Sequence, residues 1–118
     1  MISVAASLVI KNDIKYLWYA AHSGDHEIYP DCRPEFIDKM AAVLEICDYH
    51  KIKFEAPFQN LSKNEIVAIG LSMGLDYSKT WTCYEGKEKS CGKCSACLER
   101  ALSFEANNTE DPLNVVSN

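Results

Sequence analysis

Four cysteines within fifteen residues, Cys83, Cys91, Cys94 and Cys97, constrain this chain more than any other feature of it. Seven residues separate the first two, and two residues fill each later gap. A Cys-x-x-Cys step lets two sulfurs approach one ion at about 2.3 Å each, and a tetrahedral ion takes four such ligands from a chain able to curl around it. Gly92, directly after Cys91, suits a tight turn in which backbone amides point back at the thiolates. Three chemistries compete for such a set. Disulfides fit crowded Cys-x-x-Cys pairs poorly in a chain without a signal peptide. An iron–sulfur cluster shares the Cys-x-x-Cys-x-x-Cys opening, but its bacterial pattern continues to Cys-Pro, whereas Leu98-Glu99 follows here. A fourth ligand lying upstream across a short polar loop is common in structural zinc sites, and zinc is the expected metal. A zinc tetrathiolate carries a formal double negative charge. Lys87, Lys89, Lys93 and Arg100 stand nearby in sequence, either to offset it or as a solvated loop face.

The length of 118 residues is that of one domain, so residues 1–118 are expected to form a single unit. With 47% hydrophobic and 25% charged residues the composition is that of a soluble globular protein rather than a disordered one. No apolar run approaches the roughly 18 residues that cross a bilayer, and the N-terminus has no charged n-region, so no membrane contact and a cytoplasmic location are expected. A net charge of −5 speaks against nonspecific nucleic-acid binding, which needs a basic face. The expected partner is a small molecule or another protein.

Taken in order, residues 1–10 are apolar almost throughout, and the Ala5-Ala6-Ser7 centre favours a helix that Asn12-Asp13 breaks. Aromatic and branched residues over 14–21 predict a buried strand of a parallel sheet. A long polar loop, 22–33, follows the strand's C-terminal end, where α/β proteins commonly place function. Pro34 suits the first turn of a helix whose apolar stripe is Phe36, Met40, Val43, Leu44 and Cys47. Residues 52–57 predict a second short strand that Pro57 ends. Ser62 to Glu65 fits a capping box, and Ile66, Ile69 and Met73 predict the buried face of the next helix, with Gly74 closing it in a left-handed turn. The cysteine loop leads into a last helix over 97–106, and the polar tail, 107–118, reads as a loose end. Helices and strands alternate, so the fold class is α/β.

Outside the cysteine loop, His22, Asp25, His26 and Glu27 could ligate or titrate together, or simply be solvated. Arg33 stands where the Pro34 helix opens its amides, a natural place for a carboxylate or phosphate. The plainer alternative is a cap by Asp31 and an ion pair of Arg33 with Glu35 or Glu27. Lys63 opposes the macrodipole in a first helical turn unless something anionic is near. Cys47 reads as core, and Cys32 as either core or loop chemistry.

Several separated stretches match one family. Residues 29–37 (Tyr-Pro-Asp-Cys-Arg-Pro-Glu-Phe-Ile), 61–67 (Leu-Ser-Lys-Asn-Glu-Ile-Val), 74–77 (Gly-Leu-Asp-Tyr), 80–84 (Thr-Trp-Thr-Cys-Tyr) and 91–97 (Cys-Gly-Lys-Cys-Ser-Ala-Cys) together resemble 7-cyano-7-deazaguanine synthases of the QueC or ExsB type. The resemblance runs from about Ser3 to Phe104. It implies a partial Rossmann-like fold of the ATP pyrophosphatase (adenine nucleotide alpha hydrolase-like) kind, a parallel sheet flanked by helices with a C-terminal four-cysteine zinc loop. It implies ATP-dependent conversion of 7-carboxy-7-deazaguanine and ammonia to the nitrile, on the route to queuosine, and zinc on Cys83, Cys91, Cys94 and Cys97. His22, Asp31, Arg33 and Lys63 become the candidate substrate contacts. The family's initial strand and Ser-Gly-Gly-x-Asp-Ser loop, which wraps ATP phosphates, do not occur in these residues, so the chain resembles the C-terminal half only. ATP with Mg²⁺ is expected only with an N-terminal half present. The alternatives are a non-catalytic zinc module for assembly and a related synthase acting on another carboxylate. A parallel sheet cut in half exposes strand edges, so a homodimer or a complex with an N-terminal half is expected.

Overall fold

The computed structural model describes residues 1–113. They gather into two compact units, Met1–Ser62 and a second from Lys63 onward. Elements follow in the expected alternating order, and the architecture is α/β.

In the first unit, helix α1 (Ile2–Lys11) ends where the Asn12 side-chain amide donates to the Leu8 carbonyl at 2.7 Å and Asp13 takes a φ of 54°. Strands β1 (Tyr16–Trp18) and β2 (Lys53–Glu55) pair in parallel with Leu17 opposite Phe54. Between them lie two 3₁₀ turns, Ser23–Asp25 and Pro30–Cys32, and helix α2 (Pro34–Ile46), which begins at its proline. The core joins Ala6 and Val9 of α1, Ile37 and Leu44 of α2, and Ile52 and Phe54 beside or within β2. The Tyr19 ring stacks on Phe54 with centroids 5.8 Å apart.

Two expectations change here. The first strand is three residues long and not buried: Trp18 is 70% exposed, and among the described residues β1 and β2 are the two strands of the sheet. Cys47 is exposed rather than core, and Val43 also faces solvent. The buried line of α2 runs through Ile37 and Leu44 with Phe36, Met40 and Ala41 beside it, and Cys47 lies past the last turn, its thiol donating to the Leu44 carbonyl at 3.3 Å.

The second unit pairs helix α3 (Lys63–Ser72) with helix α4 (Ser95–Glu105) and includes a 3₁₀ turn at Tyr77–Lys79. Helix α3 starts directly after Ser62, and Gly74, at φ 70°, closes it as expected, with the Leu75 amide donating to the Gly70 carbonyl at 2.9 Å. Its buried face is Val67 and Gly70, not Ile66, Ile69 and Met73, and Met73 is 78% exposed. Tyr77 causes the rotation. Its hydroxyl donates to the Val67 carbonyl at 3.2 Å, its ring meets Phe104 edge-on at 5.1 Å, and a Cβ on Gly70 would stand 2.1 Å from the Tyr77 oxygen. Gly70→Ala should therefore lower stability by about 1–3 kcal/mol in urea unfolding, although alanine is the better helix former. Removing the hydroxyl with Tyr77→Phe should shrink that loss; an equal loss in both backgrounds would place the clash elsewhere.

The stretch read as a loose end is anchored as far as it is described, because Asp111 is buried and the Thr109 amide donates to the Phe104 carbonyl at 3.1 Å. Residues 114–118 lie outside the described residues. Among the described residues no helix is long and apolar enough to cross a membrane.

Candidate metal centre

The four thiols are brought together. Their sulfurs all lie within 4.8 Å of one another, with Cys94 to Cys97 at 3.5 Å and Cys91 to Cys97 at 3.9 Å. A disulfide would need about 2.05 Å. A tetrahedron with bonds of about 2.3 Å has edges of about 3.8 Å, so the set fits one tetrahedral ion and is consistent with zinc. Cys83 and Cys97 are buried and Cys91 and Cys94 half-buried, and α4 begins between the last two ligands with Cys94 as its N-terminal flanking residue.

Backbone amides aim at the sulfurs. Cys83 Sγ accepts from the amides of Gly86 at 3.0 Å and Cys91 at 3.3 Å, and Cys91 Sγ accepts from the Cys94 amide at 3.3 Å. These donors favour the thiolate. The Cys91 amide foremost holds the Cys83 thiol down to about 6, and the Tyr84 amide foremost lowers Cys94. Burial pushes the Cys97 thiol up to about 12, so its charge is the one that most needs a cation beside it. Gly92, in the tight turn expected there, takes a left-handed φ of 66°.

Arg100 does not offset the thiolates. It is 6% exposed and spends its donors elsewhere: Nε and one terminal nitrogen bind Asp111 at 2.7 and 2.8 Å, and the guanidinium also reaches Thr80 and the Tyr77 carbonyl. The exposed Lys87, Lys89 and Lys93 form the solvated face of the loop.

The other candidate residues are placed as follows. His22 is buried, its Nδ1 accepting from the Gly24 amide at 3.1 Å and its Nε2 lying 3.1 Å from Asp25 Oδ2. Asp31 accepts from the Tyr19 hydroxyl at 3.3 Å. Burial first, then the neighbouring Cys32 and Asp31, pushes the Tyr19 phenol up to about 12, and burial likewise raises the Cys32 thiol, which therefore stays protonated packing. Arg33 is exposed and oriented by donation from Nε to the His26 carbonyl at 2.8 Å, while Glu35 pairs with Lys39 at 2.6 Å. Asp31 and Arg33 thus flank Cys32 in one turn, and His22 meets Asp25 instead. His26 Nε2 is buried without a hydrogen-bond partner among the described residues. In the second unit, Glu99 supplies the anion that Lys63 needs in its first-turn position.

The family model described as queuosine biosynthesis protein QueC matches residues 1–108. The 7-cyano-7-deazaguanine synthase of Marinobacter nauticus is 50% identical over 113 residues, covering 96% of this chain and 51% of that protein. Its namesake in Pseudoalteromonas atlantica is 51% identical, covering 96% of this chain and 52% of its own length. The protein named 7-cyano-7-deazaguanine synthase 1 in Colwellia psychrerythraea is 49% identical, again covering 96% of this chain and 52% of itself. The chain spans about half the length of these curated relatives.

Proposed function

Because the chain belongs to the queuosine biosynthesis QueC family, we propose that it forms the metal-bearing part of an ATP-dependent ligase that converts 7-carboxy-7-deazaguanine and ammonia to 7-cyano-7-deazaguanine. The observation that carries this reading is 50% identity over 96% of the chain to a protein named for that product. In it, the substrate carboxylate is adenylated, ammonia displaces AMP to give the amide, and a second activation dehydrates the amide to the nitrile.

Cys83, Cys91, Cys94 and Cys97 would hold zinc, which supplies structural rigidity there, because four protein thiolates leave no position open for substrate. Arg33 is the anion contact, exposed beside the amides that open α2. His22 and Asp31 border the deazaguanine pocket. Lys63 would reach substrate only by exchanging its Glu99 partner. ATP with Mg²⁺ would be met by sequence beyond these residues, since the Ser-Gly-Gly-x-Asp-Ser segment is not among them. Such a reaction belongs in the cytoplasm.

An apolar groove of about 540 Å³ between α1 and β1, lined by Val4, Leu8, Leu17 and Trp18 among others, supports cover by the rest of a parallel sheet or by a second copy of the chain. Nitrile formation measured by mass spectrometry tests the whole reading. The chain alone should give no product, and the chain mixed with the N-terminal half of the Marinobacter nauticus synthase should give product. Arg33→Ala should lower that rate roughly 10- to 100-fold, the worth of a hydrogen bond to a charged group. A zinc-loaded chain that yields no product in the mixture would be a metal module without a catalytic part.

A further inference from the structure

The gap between Cys83 and Cys91 is the hard part of assembling the metal site. The other three ligands arrive by two-residue steps, but Cys83 must be carried back across seven residues to within 4.8 Å of the rest. One residue makes that fold-back possible. The Gly86 amide donates to Cys83 Sγ at 3.0 Å, so its backbone is turned toward the sulfur. A Cβ on Gly86 would stand 2.2 Å from the Lys89 carbonyl oxygen and 3.0 Å from Cys83 Sγ. The nearer obstacle is backbone, and the other is the ligand sulfur itself. The Lys89 carbonyl is backbone, two residues before Cys91, whose own amide donates to Cys83 Sγ at 3.3 Å.

Gly86 and Gly92 are glycines for different reasons. Gly92 sits at φ 66° with nothing within 4 Å of a built Cβ, so its requirement is conformational. Gly86 has no such dihedral, and its requirement is space. A side chain there would push apart the two strands of the loop, and the ligand lost first would be Cys83. Cys91, Cys94 and Cys97 would remain grouped, since their contacts of 3.5 and 3.9 Å do not pass through residue 86.

We propose that Gly86 is the positioning residue that gives the metal site its fourth ligand, and that any side chain at this position converts a closed four-thiolate site into an open three-thiolate one. This rests on the metal reading of the four cysteines but not on the reaction assigned to the family.

Cobalt(II) is the probe, because its thiolate-to-metal charge-transfer band reports how many sulfurs bind. The full chain is titrated with cobalt(II) as wild type, Gly86→Ala, Cys83→Ala and the double variant. Wild type without a charge-transfer band would sink the metal reading itself. With that band present, Gly86→Ala should show about three quarters of its intensity per bound cobalt, the ratio of three thiolates to four. Its affinity should fall about 10- to 100-fold, as for other residues that orient metal ligands. The spectrum should match that of Cys83→Ala, and the double variant should lose no more than either single one. A wild-type spectrum from Gly86→Ala would overturn the proposal. So would a Gly86→Ala protein that binds no cobalt while Cys83→Ala still does, because the glycine would then act on the whole loop rather than through the fourth ligand.

Discussion

Purified chain should contain one zinc per molecule, and stripping it should unfold the second unit. The magnitude follows from how little else holds that unit. Among the described residues, its buried apolar side chains are Val67, Phe104 and the ligands Cys83 and Cys97 themselves. A structural zinc site in a small peptide contributes on the order of 10 kcal/mol of folding free energy, comparable to the whole stability of a small domain. Chelation should therefore abolish helical signal equivalent to α3 and α4 in far-UV circular dichroism, and zinc should restore it. Cys→Ser at position 91, 94 or 97 should abolish stoichiometric zinc in elemental analysis. The same change at Cys32 or Cys47 should not, because neither sulfur is in the cluster. An unchanged far-UV spectrum after complete zinc removal would show the site to be peripheral to folding.

The cysteine loop was legible because ligand spacing is a local property: a two-residue step already places two sulfurs on one ion, whatever the rest of the chain does. Element order was legible for a similar reason, since Pro34 at the start of α2, Asn12 and Asp13 after α1, and Gly74 after α3 act on their own neighbourhoods. What could not be read required knowing what lies opposite. Periodicity put Ile69 and Met73 inward, but the space vacated at Gly70 and filled by Tyr77 turned α3 onto Val67. Arg100 looked like a counter-charge because it follows the last cysteine by three residues, and its actual partner, Asp111, lay in a stretch that composition marked as loose. Gly86 left no mark in the sequence at all, since a close approach to the Lys89 carbonyl has no compositional sign.

Arg100→Ala should destabilise the second unit by about 3–5 kcal/mol, the range found when one partner of a buried ion pair is removed. The pair is buried on both sides, with side chains 7% and 6% exposed, and it is bidentate. Asp111 also accepts from the Leu113 amide at 3.0 Å, and the guanidinium lies over the Phe104 ring at 5.3 Å. Truncating Arg100 strands a buried carboxylate and removes the guanidinium from Thr80 Oγ1 and from the Tyr77 carbonyl, which keeps the Thr80 amide and hydroxyl as donors. Lysine should not rescue it, because one ammonium cannot span both carboxylate oxygens and the two upstream acceptors. Asp111→Asn should cost less than Arg100→Ala, since the amide keeps one acceptor for the guanidinium. The effect should also reach the metal. Arg100 follows Cys97 by three residues, and Thr80 precedes Cys83 by three, so a single guanidinium ties together the two ends of the ligand loop. Zinc transfer from Arg100→Ala to an excess of chelator should be at least about 10-fold faster than from wild type, in line with other residues that support metal ligands. A stability loss below about 1 kcal/mol in urea unfolding would mean that water replaces the guanidinium, and the pair would then count as an exposed one.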